Sequence, residues 1–203
     1  MNKREVLKFQ IFSIIFVSIF GTLLHFMYEW SGDNKIIAGF SAVNESTWEH
    51  LKLLFFPMLI TTIIGNFYIG KMVPNFLCAK TCGIVASMLF VVVFFYTYTG
   101  VIGINFAFLD IGSFFGAVLL GEYIAYRVMT VSNTKFKCNK NLATIVLVVL
   151  FMAFIIFTYF TPQIGLFKDP IENEYGILKW CCATWHKLNE IIYFELYFFI
   201  RLW

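Results

Sequence analysis

The sequence predicts an all-α integral membrane protein, built as a helical bundle of about five transmembrane helices. The chain of 203 residues is 60% hydrophobic and only 13% charged, and its mean hydropathy is +0.80. Several apolar runs reach about 18 residues or more, a length typical of membrane spans rather than of helices in a soluble domain.

Five apolar segments are long enough to cross a bilayer as helices. Each is close to the roughly 20 residues that span about 30 Å of hydrocarbon. The predicted spans are Phe9 to Tyr28, Leu51 to Gly70, Cys82 to Thr99, Ile104 to Tyr126 and Leu142 to Phe160. The first continues into Glu29 and Trp30 without a small-residue cleavage site, so we expect it to remain as a membrane helix.

Lysine and arginine residues indicate which way the bundle faces. If the N-terminus is cytoplasmic, the basic residues around the first, second and fourth spans all fall on the cytoplasmic side. They are Lys3, Arg4, Lys8, Lys71, Lys80, Arg127, Lys135, Lys137 and Lys140. The sequence therefore predicts a multi-pass protein of the cytoplasmic membrane with its N-terminus inside. No basic, aromatic surface of the kind that binds nucleic acid is evident, so a nucleic-acid partner is not expected.

The C-terminal segment differs from the five spans. We divide the chain into a polytopic membrane domain, residues 1–178, and an amphipathic, aromatic-rich C-terminal helix, residues 179–203. If helical, Trp185 to Trp203 gathers most of its polar side chains on about half of its circumference and has a tryptophan at each end. This pattern favours a helix lying in the membrane interface. A sixth span is the alternative, although the charged residues leave only a short apolar run.

Ionisable residues cluster between the first two spans. This segment holds two of the three histidines of the chain. Its members are His25, Glu29, Glu45, Glu49 and His50. Ionisable groups at membrane depth are costly and usually face a partner, a cavity or a metal. The segment is therefore the candidate functional site, and the predicted topology places it on the outer side of the membrane.

Helix geometry brings a further carboxylate to the same depth. One face of the first span carries His25 and Glu29 together with small residues, and we expect it to turn into the bundle. Asp110 lies about 10 Å inside the outer end of the fourth span, so it can meet both. Gly112 and Gly116 form a GxxxG pair, which predicts the close approach of another helix.

Two imidazoles among several carboxylates suit a divalent metal such as zinc. His25 and His50 would be neutral nitrogen ligands, and Asp110 or Glu29 would supply an oxygen ligand. The spacing matches no established metal motif, and an HExxH sequence is absent. The metal site is therefore inferred from residue types and depth alone.

The same segment offers candidates for catalysis. Glu49 or Glu45 would act as a general base on a water molecule, and Lys52 would face an anionic head group or an oxyanion. The predicted function is metal-dependent hydrolysis of a lipid or of a small membrane substrate. Lys52 also suits an interfacial position, with its stem along apolar surface and its charge in water.

Two other functions fit these residues. In a proton- or cation-coupled transporter or channel they would form a titrating relay, and a continuous polar path from Asp110 to Glu122 would favour transport. In a purely structural protein, Ser46 and Glu49 would form a capping box at the start of the second span. Capping accounts for Glu49 without any catalytic activity.

Two strings of residues surround the candidate site. They read HFMYEWSG from residue 25 and NESTWEHLKLLFFP from residue 44. Shorter strings follow at Leu109-Asp110-Ile111, Gly121-Glu122-Tyr123, Leu166 to Pro170 and Tyr175-Gly176. Together they resemble a family of small uncharacterised bacterial membrane proteins, common in low-GC Gram-positive bacteria. The resemblance extends to Leu178. It implies a polytopic fold in a bacterial cytoplasmic membrane, and it implies no activity because that family is of unknown function.

Overall fold

The computed structural model describes residues 3–131 and 139–177, and within these ranges the protein is an all-α bundle. Its helices are α1 Lys3–Trp30, α2 Lys35–Ala38, α3 Thr47–Tyr68, α4 Phe76–Ile102, α5 Ala107–Val131 and α6 Lys140–Tyr159. All but α2 are long and apolar enough to cross a membrane. The predicted fold class is confirmed, and each predicted span overlaps one of these five helices. The predicted C-terminal helix lies outside the described residues.

Helix α3 is the central helix of the bundle. In its most apolar segment 61% of the residues are buried, against 22% in the corresponding segments of α1 and α6. Helix α1 packs against α3 and α5, α4 packs against α3 and α5, and α6 packs against α4 and α3. The aromatic rings of Phe55, Phe154 and Trp48 meet in the core between α3 and α6. Because α3 is surrounded, the charged residues of its first turns contact protein rather than lipid.

A proline and a glycine bring α1 close to α3. Pro57 lies inside α3 and has no N–H for the carbonyl of Leu53, one turn earlier. That carbonyl faces Gly21 of α1, where an added Cβ would overlap it. The two backbones can therefore approach at the point where α3 has lost a hydrogen bond.

A second pair of glycines sets the contact between α4 and α5. Gly83 and Gly121 face each other so closely that a Cβ on either would overlap the carbonyl of the other. The predicted pair is not the one used: Gly112 has no neighbouring atom within 4 Å of its Cβ position, and Gly116 meets only Phe90. The close approach expected of α5 thus occurs on a different face, nearer its cytoplasmic end under the predicted topology.

The segment after α6 folds back over the core at the end of the bundle where α3 begins. It contains a short 3-10 helix, Gly165–Phe167. The ring of Phe167 packs against Trp48 of α3 and Phe157 of α6. Asp169 follows and is buried. This segment, residues 160–177, is called the outer loop below after the topology that the sequence predicts, and it lies against the residues that lead into α3.

Candidate metal centre

Three of the sequence-predicted residues converge at one end of the bundle. His25 comes from the last turns of α1, His50 from the first turn of α3, and Glu45 from the segment just before α3. One potential ligand atom from each residue lies within 4.8 Å of the other two. His25 Nε2 is 3.7 Å from Glu45 Oε1, and His50 Nε2 is 3.4 Å from Glu45 Oε2. The group can hold a metal ion.

Local hydrogen bonding orients the imidazole of His50. Its Nδ1 lies 3.0 Å from the carbonyl oxygen of Ser46, one helical turn earlier. A proton on Nδ1 donated to that carbonyl leaves the Nε2 lone pair facing Glu45, and a ring fixed in this way is the usual arrangement of a metal-bound histidine. The His25 ring lies nearby, with its centroid 5.3 Å from that of His50 and its plane tilted by 36°. Its buried Nδ1 has no hydrogen-bond partner among the described residues.

The group is open on one side. The side chains of His25, Glu45 and His50 are 28%, 42% and 30% exposed. Structural zinc sites are closed by four protein ligands, whereas catalytic sites keep three and leave a position for water or substrate. If these two imidazoles and one carboxylate held a zinc ion, their number and accessible face would match the catalytic rather than the structural type of site.

Asp110 lies beside this group but is not one of its three members. It belongs to the first turn of α5 and interacts electrostatically with His50 and Glu45. The Tyr98 hydroxyl donates to Asp110 Oδ1 at 2.5 Å, and Asn105 Oδ1 lies at the same distance from that hydroxyl. The carboxylate is thus fixed by the end of α4 and the loop that follows it. It is a charged neighbour of His50 and Glu45 without being one of the three candidate ligands.

Glu49 and Lys52 form a buried ion pair next to the group. Lys52 Nζ lies 2.6 Å from Glu49 Oε2, and their side chains are 0% and 4% exposed. Lys52 also donates to the carbonyl oxygens of Ala38 and Ser41, and Glu49 Oε2 accepts from the N–H of Val43. The pair ties the chain between α1 and α3 to the first turns of α3. The interfacial position predicted for Lys52 is wrong, because the lysine turns inward to meet these acceptors.

Glu29, also predicted as a ligand, lies outside the group. It is exposed near the end of α1, whose buried residues are Val6, Gln10, Ser13, Val17, Gly21 and Tyr28. The face of α1 that carries His25 and Glu29 was predicted to turn into the bundle. The face that is buried is rotated away from it around the helix axis. His25 lies at the edge of the buried face, and Glu29 points away from it.

A second buried ion pair, not predicted as such, lies deeper in the bundle. Lys80 Nζ of α4 is 2.6 Å and 2.8 Å from the two carboxylate oxygens of Glu122 in α5. Ser13 of α1 donates to Glu122 Oε1, and Gln10 donates to the Glu122 carbonyl. The sequence predicts Lys80 among the basic residues of the cytoplasmic side and names Glu122 as one end of a transport path. The only available signal was that each is a single charge within or beside a long apolar helix.

Comparison with known proteins places the chain without assigning an activity. A family model described as Family of unknown function (DUF6512) matches residues 1–177, and the chain belongs to this family. No curated protein and no solved structure matches it. Its function must therefore be inferred from the geometry of its own residues.

Proposed function

We propose that this member of a family of unknown function is a membrane hydrolase that depends on a divalent metal such as zinc. The substrate would be a lipid or a small molecule dissolved in the membrane. The observation that carries the proposal is the meeting of His25, Glu45 and His50, which offer three ligand atoms within 4.8 Å of one another. A zinc ion held by three protein ligands supplies Lewis acidity and activates water near neutral pH.

The surroundings of the group suggest distinct roles for its neighbours. Asp110, held by Tyr98 and Asn105, is the best placed of the predicted residues to accept a proton from water as general base. The sequence predicts Glu49 or Glu45 as the base, but Glu45 is one of the three candidate ligands, and the Glu49 carboxylate already binds Lys52 and the backbone of Val43. We assign to Glu49 the role of holding the chain that carries Glu45. A fully buried Lys52 is likewise better suited to this support than to binding an anionic group.

The orientation that this function requires follows from the basic residues. The ends of α1 and α4 and the starts of α3 and α5 lie at the site, so the start of α1 lies at the opposite end of the bundle. Lys3, Arg4 and Lys8 are at that end, and the positive-inside rule makes it cytoplasmic. We therefore propose that the site opens on the outer side of the membrane, within reach of lipids in the outer leaflet.

Transport is less well supported than hydrolysis. It would need a polar path from Asp110 to Glu122, and most of the buried residues described between these two levels are apolar, although Ser113 and Ser87 are buried there as well. The apolar residues include Val17, Met58, Ile84, Ala117 and Val118, all fully or almost fully buried in one core cluster. A largely apolar layer favours a site that acts on one side of the membrane.

Metal content provides the first test of the proposal. Protein purified without chelator should contain about one zinc ion per chain, and His25→Ala, His50→Ala and Glu45→Gln should each lose most of it during purification, because each replaces one of the three proposed protein ligands and leaves only weak residual binding. Glu29→Gln is the matched control: it removes a carboxylate near the same end of α1 that lies outside the group, so it should retain metal. Elemental analysis of each detergent-solubilised variant measures this difference.

Stability and turnover then separate ligand roles from the role of Asp110. Zinc at 100 times its Kd should stabilise the wild type by about 2.7 kcal/mol and the histidine variants not at all. Asp110→Asn should keep zinc and its stabilising effect but lose hydrolysis of ester and amide lipids in mixed micelles. A wild-type protein that contains no metal and gains no thermal stability from added zinc would refute the proposal.

A further inference from the structure

Glu45 differs from the other two candidate ligands in its support. His25 and His50 project from helices, whose backbones are rigid, whereas Glu45 lies in the non-helical segment before α3. Its side chain is also the most exposed of the three, at 42%. The side chain of Glu45 can be held at the site only if contacts from another part of the protein fix the backbone of this segment.

The outer loop supplies that support through two hydrogen bonds. Asp169 Oδ2 accepts from the backbone N–H of Glu45 at 3.0 Å. On the preceding residue, the side-chain amide of Asn44 donates to the carbonyl of Gly176 at 2.8 Å. Asn44 Oδ1 in turn accepts from the N–H of Ser46 at 2.9 Å. The backbone of Glu45 is therefore tied directly and through both of its neighbours.

Asp169 is itself held in a single position. It is 1% exposed, and its Oδ1 accepts from the N–H groups of Ile171 and Glu172 at 2.7 Å and 3.1 Å. Its own N–H donates to the carbonyl of Glu174, and Phe167, two residues earlier, is packed on the aromatic core. One carboxylate oxygen thus organises the outer loop, and the other is free to orient Glu45.

We infer that Asp169 is a positioning residue of the metal centre, which fixes Glu45 between the two histidines and so sets the affinity for the metal. The inference rests on the proposed metal site. Residues that orient metal ligands without touching the metal commonly contribute a factor of about 10 to 100 in affinity. The outer loop is then part of the site, although none of its residues is one of the three candidate ligands.

The test compares two carboxylates of the same loop in the full-length protein in detergent. Asp169→Asn keeps the shape of the side chain but replaces one carboxylate oxygen with an NH₂ group. In one orientation of the amide the NH₂ group faces the N–H of Glu45, and in the other it faces the N–H groups of Ile171 and Glu172, so one set of hydrogen bonds is lost in either case. It should raise the Kd for zinc about 10- to 100-fold, measured by competition with a chromogenic chelator. Glu172→Gln removes the same charge from an exposed neighbour, and its Kd should equal that of the wild type.

A double-mutant cycle distinguishes positioning from a general loss of structure. In a Glu45→Gln background, adding Asp169→Asn should weaken residual zinc binding little further, because the carboxylate that Asp169 positions is already gone. A general structural role would weaken binding by the same factor in both backgrounds, and that result would overturn the inference.

A second variant covers the possibility that Asp169→Asn does not fold. Asn44→Asp retains the acceptor for Ser46 but replaces the donor to Gly176 with an oxygen, and it should also raise the zinc Kd. Positioning by the outer loop would be refuted if Asn44→Asp binds zinc as tightly as the wild type and Asp169→Asn either does the same or fails to fold. The proposed metal site would be unaffected by that result. A wild-type protein that binds no zinc would instead refute the proposed function from which the inference starts.

Discussion

At the scale of single residues, the most demanding feature is the complete burial of Lys80 and Glu122. Both side chains are 0% exposed. Removing two charges from water costs several kcal/mol per ion, and their attraction offsets this only when the geometry is good and the remaining polar atoms are satisfied. Here Ser13 accepts from Lys80 and contacts Glu122, so the pair joins α1, α4 and α5. Its contribution should lie in fixing the arrangement of these helices.

Replacing one member of this ion pair should destabilise the protein strongly, whereas replacing both members should destabilise it much less. Lys80→Met or Glu122→Met alone should lower the free energy of unfolding by about 3–5 kcal/mol, because each leaves a buried charge without a partner. The double variant should recover most of that loss, since no charge remains to be desolvated. Unfolding in detergent measures all three.

The exposed pair Lys8 and Glu5 is the control for the buried one. Its side chains are 59% and 43% exposed, so Lys8→Met should change stability by at most about 1 kcal/mol. Single Lys80 and Glu122 variants that unfold like the wild type would show that the pair is solvated or is not formed.

At the scale of helices, the positions of glycines determine how α4 and α5 fit together. The sequence suggested Gly112 and Gly116, because a GxxxG spacing puts two glycines on one face. The face that is used instead contains Gly121, which meets Gly83 and lies next to the buried Glu122. A glycine spacing identifies a possible contact face, but the partner that occupies it depends on how the whole bundle is arranged.

Replacement of glycine by alanine should have different effects on stability at Gly121 and at Gly112. Gly121→Ala should destabilise the protein by about 1–3 kcal/mol, because the new Cβ would overlap Ser87 Oγ and the carbonyl of Gly83. Gly112→Ala meets open space and should be neutral, or stabilising by up to about 1 kcal/mol, through better helix propensity. Thermal unfolding of both variants in one detergent provides the comparison. Equal effects at the two positions would contradict the packing of α4 on α5.

Which face of α1 points into the bundle is also difficult to predict from the sequence. Its polar residues occupy more than one face, with His25 and Glu29 on one and Gln10 and Ser13 on another. The inward face is the one with buried partners, since Gln10 and Ser13 hydrogen-bond to Glu122. Composition alone could not decide between these faces, because the partner residue is 109 positions away along the chain.

At the scale of the whole molecule, orientation in the membrane is the property on which the function depends. The proposed metal site would reach an outer-leaflet substrate only if the N-terminus is cytoplasmic. After removal of native cysteines, Lys35→Cys should react with an impermeant thiol reagent in intact cells, and Lys135→Cys should be protected. Both should react after permeabilisation. Labelling at 135 with protection at 35 would reverse the topology and place the site on the cytoplasmic side.

Sequence alone determined the class of the protein and the region of its candidate site. Apolar length and composition are local properties of a chain, so the five long helices could be predicted directly, with boundaries up to six residues from those observed. His25 and His50 could be singled out because ionisable residues are rare in such segments. The same reasoning identified Glu45, although as a candidate general base and not as a metal ligand.

Only the tertiary structure decided which polar groups meet. It brought Glu45 rather than Asp110 or Glu29 between the histidines, paired Glu49 with Lys52, and placed Asp169 beneath Glu45 from 124 residues away. Each of these contacts depends on the rotation of one helix against another and on a loop that folds back over the core. Such rotations are set by close packing and by pairing of buried charges among distant segments, and local periodicity does not encode either.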